Sequence, residues 1–204
     1  MLVLGLTGSI GMGKSTVAAR LRVLGIGVCD ADAEVHKLYD GAAALPIEAA
    51  FPGTTADGKV DRRKLAAVLL ADAGGFKRLE AIVHPLVFAA ERAFLQAEAA
   101  RGAALAVLEV PLLYETGGER RVDCVLVCSA PAHAQRARVL QRAGMTPQKL
   151  EQILARQLSD AEKRARADFV VDTGGTIKES EAQVDNIVES LQGRQGTAYA
   201  KHWA

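Results

Sequence analysis

The sequence predicts an α/β fold in which a parallel sheet lies between two layers of helices. Short apolar runs that suit buried strands alternate with segments of helical spacing, which is typical of parallel sheets. A glycine-rich stretch separates the first apolar run from the first helical segment. Half of the 204 residues are hydrophobic, so the chain can build a sizeable core as one domain with insertions.

Composition argues against several classes of protein. The formal net charge is +1, so we expect neither nucleic acid nor a membrane as a partner. No apolar run reaches the roughly 18 residues of a membrane span, and the N-terminus carries no signal-peptide pattern. Cys124 and Cys128 lie four residues apart in an apolar run, so we expect small core residues on one face of a strand. These observations predict a cytoplasmic protein, with no obligate protein partner evident.

The glycine-rich stretch is the strongest motif in the chain. Residues 8–15 read GSIGMGKS and match G-x-x-x-x-G-K-[ST], the P-loop pattern. An apolar run at residues 2–7 precedes the motif, and a segment of helical spacing at residues 16–24 follows it. Strand, glycine loop and helix form the context in which this motif binds a nucleoside triphosphate.

The residue types explain how such a loop holds phosphates. Glycines let the backbone approach a ligand closely, and successive N–H groups form an anion site at the positive end of a helix dipole. Lys14 supplies a point charge for the β- and γ-phosphates, and the Ser15 hydroxyl is suited to bind Mg²⁺. The residues that we expect to contact the nucleotide are Gly8, Gly11, Met12, Gly13, Lys14, Ser15 and Thr16.

Two acidic residues, Asp30 and Asp32, follow the second predicted strand at residues 26–29. The carboxyl end of a strand lies at the rim where ligands bind in open α/β sheets. Either residue can cap the helix predicted at residues 33–39. Because one cap needs only one carboxylate, the other is left for a functional role.

Strand signals disappear between residues 40 and 102. Proline and glycine break the first part into short pieces, and residues 62–70 and 76–101 have helical spacing. A helical block of this length between two strands is an insertion, and we expect it to recognise the phosphate acceptor. His84 lies inside it as either a binding or a structural residue, and Pro85 is expected to bend or restart the helix.

Three more strands are predicted, at residues 104–110, 122–128 and 169–172. Glu109 lies near the end of the first of them. It could act near Mg²⁺ through water or lie at the edge of the core, and the sequence favours neither role.

A predominantly basic helical segment at residues 131–166 is either a solvated face or a lid that closes over the phosphates, and the nearby P-loop favours the lid. Thr146 and Pro147 suit an N-cap and first helical position at its tip. An amphipathic helix at residues 176–191 precedes a polar tail, which is expected to fray from Gln192 onward.

Several motifs occur together in a specific order. They are GLTGSIGMGKST at 5–16, DAD at 30–32, HPLV at 84–87, VPLLYE at 110–115 and the region of Arg142 and Arg156-Gln157. In this combination the chain resembles the dephospho-CoA kinase family, from the first strand to about Asp172.

This resemblance implies a fold and a reaction. The implied fold is that of P-loop NTPases of the nucleotide-kinase type, a three-layer parallel sheet in the order 2-3-1-4-5 with a helical acceptor-binding insertion and a lid. The implied reaction transfers the γ-phosphoryl group of ATP, with Mg²⁺, to the ribose 3′-hydroxyl of dephospho-CoA. Its products are coenzyme A and ADP, in the last step of coenzyme A biosynthesis.

The resemblance also implies residue roles. Asp32 is similar to the family's catalytic base, Lys14 to its phosphate-binding lysine and Arg142 to its lid arginine. The acceptor contacts implied by the motifs are Asp32, His84, Leu113 and Glu115. The expected parts are a nucleotide-binding core (1–33, 103–131 and 167–193), a CoA-binding insertion (34–102), a lid (132–166) and a tail (194–204).

Three positions depart from the family's usual pattern. Phe88 stands where an arginine is common, Asp172-Thr173 replaces an acid–asparagine pair near the adenine side, and Met12 replaces a smaller residue. The alternatives are another small-molecule kinase, acting on a nucleoside or nucleoside monophosphate, and a nucleotide-dependent switch. The paired acids and the acceptor-sized insertion favour a kinase.

Overall fold

Five strands of this chain form one sheet in the predicted order. The computed structural model describes residues 1–204. The sheet has the order β2-β5-β1-β6-β7, which is 2-3-1-4-5 when only these five strands are counted. β1 pairs in parallel with β5 and with β6, and β6 pairs in parallel with β7. The strands are β1 (Leu2–Thr7), β2 (Gly27–Asp30), β3 (Thr55–Ala56), β4 (Lys59–Val60), β5 (Leu105–Glu109), β6 (Cys124–Ser129) and β7 (Phe169–Asp172).

Nine α-helices connect these strands or follow them. They are α1 (Lys14–Val23), α2 (Ala31–Tyr39), α3 (Ala44–Ala50), α4 (Arg62–Ala71), α5 (Gly75–Ala100), α6 (Ala132–Leu140), α7 (Pro147–Leu154), α8 (Asp160–Arg166) and α9 (Ile177–Leu191). Thr146 caps α7 by accepting the Lys149 N–H at 3.2 Å, and Pro147 occupies the first turn, as predicted. None of the helices combines the length and the apolar character that a membrane-spanning helix requires.

The chain divides into two compact units, and the sheet, apart from Asp30 at the end of β2, belongs to the first, residues 1–29 and 95–204. All six residues of β1 are buried, and its leucines share a core with apolar residues of α1 and α9. Cys128 and Cys124 face this same core, which confirms their prediction as core residues. Burial raises the pKa of each thiol to about 12, so both are protonated at neutral pH.

The second unit, residues 30–94, has a core of its own. It also contains a short antiparallel hairpin, formed by β3 and β4, that the sequence analysis missed. Asp57 and Gly58 connect its strands with φ angles of 52° and 74°. An Asp-Gly pair is a recognised hairpin signal because it tolerates these positive φ angles, but two-residue strands are too short to show an alternating pattern.

Helix α5 continues through Pro85, so the expected restart at this residue does not occur. Proline removes one helical N–H donor, which weakens a helix without always ending it. Leu79, Ile82 and Leu86 on either side pack against the core of the second unit. This packing holds the helix together across the proline.

The prediction of a frayed tail is wrong, because the C-terminal residues pack within the first unit. Trp203 is only 1% exposed, and its indole Nε1 donates to the Arg121 carbonyl at 2.8 Å. The Asp123 carboxylate accepts the N–H groups of Thr197 at 2.6 Å and Ala198 at 2.9 Å. It also accepts the Val3 N–H at 2.8 Å, so one side chain joins the tail to the start of β1.

Replacement of Trp203 by alanine is expected to lower the free energy of unfolding by about 3–5 kcal/mol, the usual range for a buried tryptophan. Urea unfolding followed by circular dichroism measures this change. Lys201→Ala is the matched control, because Lys201 is exposed in the same turn and surface substitutions usually stay within about 0.5 kcal/mol. Equal midpoints for wild type and Trp203→Ala would contradict the docking of the tail.

Candidate active site

The P-loop forms the turn between β1 and α1, in the strand–loop–helix arrangement that the sequence predicts. Helix α1 begins at Lys14 after Gly13, which has a left-handed backbone with φ 80°. Gly13 has no side chain with which to cap the helix. The first N–H groups of a helix need acceptors, and an anion at this point meets both those donors and the positive end of the dipole.

Lys14 reaches back across the loop. Its ammonium nitrogen donates to the carbonyl oxygen of Gly8 at 2.7 Å. The charge therefore lies at the loop itself, within the element that is expected to hold phosphates. The predicted contact of Lys14 with the β- and γ-phosphates is compatible with this position.

Two loop glycines are required both by their backbone angles and by their neighbours. Gly11 has φ 76° and Gly13 has φ 80°, values that other residues rarely adopt. A Cβ atom on Gly11 would come within 2.5 Å of Val139 Cγ2, and one on Gly13 within 2.8 Å of Thr173 Oγ1. Helix α6 and the end of β7 thus pack directly against the loop.

Four side chains from outside the motif contact the loop or its neighbour. Gln135 Nε2 donates to the Ile10 carbonyl at 2.8 Å, and Gln157 Oε1 accepts the Ile10 N–H at 3.1 Å. Thr173 Oγ1 donates to the Met12 carbonyl at 3.0 Å, and Arg138 Nη2 donates to the Thr173 carbonyl at 2.6 Å. Sequence reasoning gave none of them a role at the loop. The i, i+3 spacing of Gln135 and Arg138, which places both on one face of α6, was the available signal.

The structure resolves which acid caps the helix after β2. The Asp30 carboxylate accepts the Ala33 N–H at 3.1 Å, so Asp30 is the N-cap of α2. Asp32 lies in the first turn, and its backbone carbonyl accepts a hydrogen bond from His36 Nδ1 at 2.6 Å. The cap is therefore assigned to Asp30, and the identity of Asp32 as the catalytic base remains a prediction.

Arg142 lies just beyond the end of α6 and is exposed. Its backbone N–H donates to the Val139 carbonyl at 3.1 Å, and its own carbonyl accepts the Met145 N–H at 3.1 Å. These bonds hold the backbone in a turn while the guanidinium faces solvent. An exposed arginine can reach a ligand without breaking core contacts, and the role of Arg142 in the lid remains a prediction.

The three remaining acceptor candidates have different environments. His84 is exposed on α5, whereas Leu113 is 2% exposed within an apolar cluster. The Glu115 carboxylate forms an ion pair with the fully buried Lys163 at 2.9 Å and accepts the Leu158 N–H at 2.8 Å. Glu115 therefore anchors the start of α8, and its predicted contact with the acceptor stays a prediction.

The residues near the loop fit a magnesium ion that is coordinated mainly by nucleotide phosphates and water. Ser15 is exposed in the first turn of α1, and Glu109 ends β5 directly beside Leu6 of β1. Lys14 and Glu109 exert opposite effects on the pKa of the buried Cys128 thiol, which lies below the loop. No group of three or more His, Cys, Asp or Glu residues forms a metal cage. Magnesium commonly takes only one or two protein oxygens plus phosphate and water, so Ser15, with Glu109 through water, fits this ion.

The sequence and its relatives identify the family. The pattern of the family described as dephospho-CoA kinase matches residues 2–179. The dephospho-CoA kinase of Mesorhizobium japonicum is 55% identical over 197 residues, which cover 97% of this chain and 100% of that protein. The dephospho-CoA kinase of Brucella melitensis is 52% identical, with 97% and 99% coverage.

Solved structures agree with these matches. A Thermus thermophilus protein has a TM-score of 0.80 and 36% identity, covering 94% of this chain and 98% of that one. The dephospho-CoA kinase of Campylobacter jejuni has a TM-score of 0.71 and 25% identity, with 93% and 96% coverage. A shikimate kinase from Acinetobacter baumannii, at 17% identity and a TM-score of 0.54, shares the fold. The predicted P-loop kinase fold is confirmed, and this chain belongs to the dephospho-CoA kinase family.

Proposed function

We propose that this chain transfers the γ-phosphoryl group of ATP to the ribose 3′-hydroxyl of dephospho-CoA, with Asp32 as the base. The match to the dephospho-CoA kinase family over residues 2–179 is the observation that carries the reaction and its acceptor. The P-loop, with Lys14 bonded to the Gly8 carbonyl, supports the binding of a nucleoside triphosphate. The products are coenzyme A and ADP, in the last step of coenzyme A biosynthesis.

The proposed roles follow from the charge that develops during phosphoryl transfer. The transition state is loose, so positioning and charge neutralisation supply most of the acceleration. Lys14 neutralises charge on the β- and γ-phosphates, and Arg142 does so when the lid closes. Asp32 orients the ribose hydroxyl and accepts its proton. Ser15 would hold Mg²⁺, which would neutralise charge on the phosphates when bound.

The proposed domains each serve one part of this reaction. Residues 34–102 bind the acceptor through His84, and residues 132–166 act as the lid. Residues 1–33, 103–131 and 167–193 form the nucleotide-binding core, where Leu113 and Glu115 border the acceptor. Both substrates are small and soluble, which supports a cytoplasmic enzyme that needs no nucleic acid or obligate protein partner.

A coupled ADP-release assay with Mg²⁺ and a panel of acceptors tests this function. We expect strong turnover with dephospho-CoA and none with nucleosides or nucleoside monophosphates. Phosphorus NMR of the product then distinguishes a 3′- from a 2′-phosphate. Turnover with a nucleoside monophosphate alone would assign a different kinase, and slow hydrolysis that no acceptor stimulates would indicate a switch.

Ser15→Ala and Lys14→Ala are both expected to impair transfer, but only Ser15→Ala is expected to recover at high Mg²⁺. Ser15 acts through the ion, so a higher Mg²⁺ concentration offsets a weakened site by mass action. Lys14 contacts phosphate directly, and added Mg²⁺ does not replace its ammonium. Titrating Mg²⁺ against initial rate for both variants measures this. Equal recovery of the two would show that the roles are misassigned.

A further inference from the structure

The peptide groups of the P-loop are held by side chains that lie far away in the sequence. The Ile10 carbonyl accepts Gln135 Nε2 at 2.8 Å, and the Met12 carbonyl accepts Thr173 Oγ1 at 3.0 Å. Both donors are themselves buried, with exposures of 7% and 4%. The loop backbone is thus fixed from its outer side at alternate residues.

These contacts determine where the next amide points. The chain has no cis peptide bond, and in a planar trans peptide the C=O and N–H groups point in opposite directions. A carbonyl of Ile10 held toward Gln135 therefore turns the Gly11 N–H toward the inside of the loop. A carbonyl of Met12 held toward Thr173 does the same for the Gly13 N–H.

The amides of the loop fall into two sets. The Ile10 N–H is used by Gln157 at 3.1 Å, and the Met12 N–H by the Ser9 carbonyl at 3.2 Å. The N–H groups of Gly11 and Gly13 make no hydrogen bond to the protein. Backbone donors that lack acceptors are costly unless water or a ligand satisfies them, so these two are among the donors that phosphate oxygens can use.

Thr173 is itself fixed by its surroundings. Its hydroxyl hydrogen is shared between the carbonyls of Met12 at 3.0 Å and Ser129 at 3.2 Å. Arg138 donates to its hydroxyl oxygen at 3.3 Å and to its carbonyl at 2.6 Å. Glycine backbones rotate readily, so these contacts of Thr173 restrict rotation of the peptide between Met12 and Gly13.

We propose that Thr173 and Gln135 are positioning residues that orient the Gly13 and Gly11 amides toward the phosphates of the nucleotide. Thr173 thereby acts on the polyphosphate through the loop, although the family resemblance implies a position near the adenine side. The proposal rests on the P-loop as the site of ATP, and it does not depend on the identity of the acceptor. Phosphate binding can therefore be tested apart from phosphoryl transfer to dephospho-CoA.

The test measures displacement of a fluorescent ATP analogue by two separate probes, inorganic tripolyphosphate and adenosine, with Mg²⁺ present. Thr173→Val removes the hydroxyl but keeps the shape, and it is expected to weaken tripolyphosphate about tenfold, the scale of one well-oriented hydrogen bond. Adenosine should bind as it does to wild type. Thr173→Ser keeps the hydroxyl and should restore tripolyphosphate binding, whereas a general packing role would not be restored by a smaller side chain.

Gln135→Leu is the second variant, and it should weaken tripolyphosphate and spare adenosine in the same way. Ser180→Ala is the matched control, because Ser180 is 3% exposed and its hydroxyl donates to the Asp172 carbonyl at 3.2 Å, one residue before Thr173. Weakened adenosine with unchanged tripolyphosphate in Thr173→Val would overturn the proposal and assign Thr173 to the base. An equal loss of tripolyphosphate in Ser180→Ala would also overturn it, by attributing the effect to local packing. If Thr173→Val does not fold, Gln135→Leu decides between the same outcomes.

Discussion

Replacement of Asp32 by asparagine is expected to lower phosphoryl transfer to dephospho-CoA about 100-fold or more, the scale of a positioned general base. Asparagine keeps the shape of the side chain but removes its charge and its ability to accept a proton. The Asp30 carboxylate, and not that of Asp32, caps α2. We therefore expect the variant to keep a near-normal melting temperature and to bind ATP.

Asp30 provides the internal control. Asn caps a helix about as well as Asp, so Asp30→Asn should affect both stability and transfer less than Asp32→Asn affects transfer. Asp30→Ala should instead lower stability by about 1 kcal/mol through loss of the cap. Thermal melts and kcat with dephospho-CoA separate these effects. Near-normal turnover in Asp32→Asn with an inactive Asp30→Asn would show that the base is misassigned, while the kinase assignment would survive.

The main elements of the fold were predictable because their signals are local. The P-loop occupies eight consecutive residues, and its strand and helix adjoin it directly. Thr146 and Pro147 likewise start α7 through their own short-range chemistry. Each of these features depends on backbone angles and hydrogen bonds within a few residues, which is the range that sequence patterns describe.

The supports of the loop could not be predicted in the same way. The hydrogen bond from Thr173 to Met12 joins residues 161 positions apart, and that from Gln135 to Ile10 spans 125. A threonine or glutamine carries no periodic signal of such a partner. Only the packing of α6 and β7 against the glycines brings these donors to the carbonyls.

The prediction of a frayed tail was wrong for a related reason. Its polar and glycine-containing composition indicates disorder, but the contacts of one buried tryptophan and one carboxylate are enough to order the segment. Trp203 buries a large apolar surface, and Asp123 supplies acceptors for two tail amides. Composition averages over such residues, whereas the stability of a short docked segment depends on them individually.

Arg142→Ala is expected to lower kcat with dephospho-CoA by tens- to thousands-fold, about 2–4 kcal/mol for a lost charged donor. The ATP KM should change much less. Arg142 is exposed just beyond α6, so we expect its guanidinium to meet the transferring phosphate only when the lid closes. A contact made only at that stage stabilises the transition state more than the bound substrate. Steady-state kinetics with ATP and with dephospho-CoA as the varied substrate separate the two constants.

Arg136→Ala is the control for Arg142, because Arg136 is an exposed arginine of α6, the helix that ends shortly before Arg142. It removes the same charge from the same segment, so a general electrostatic effect would lower both variants alike. Such an effect also weakens with salt, whereas a direct contact in the closed site is screened much less. We therefore expect the difference in kcat between the two variants to persist at high salt. An unchanged kcat in Arg142→Ala with a raised ATP KM would instead place Arg142 in nucleotide binding and leave the transition-state charge to Lys14 and the bound cation.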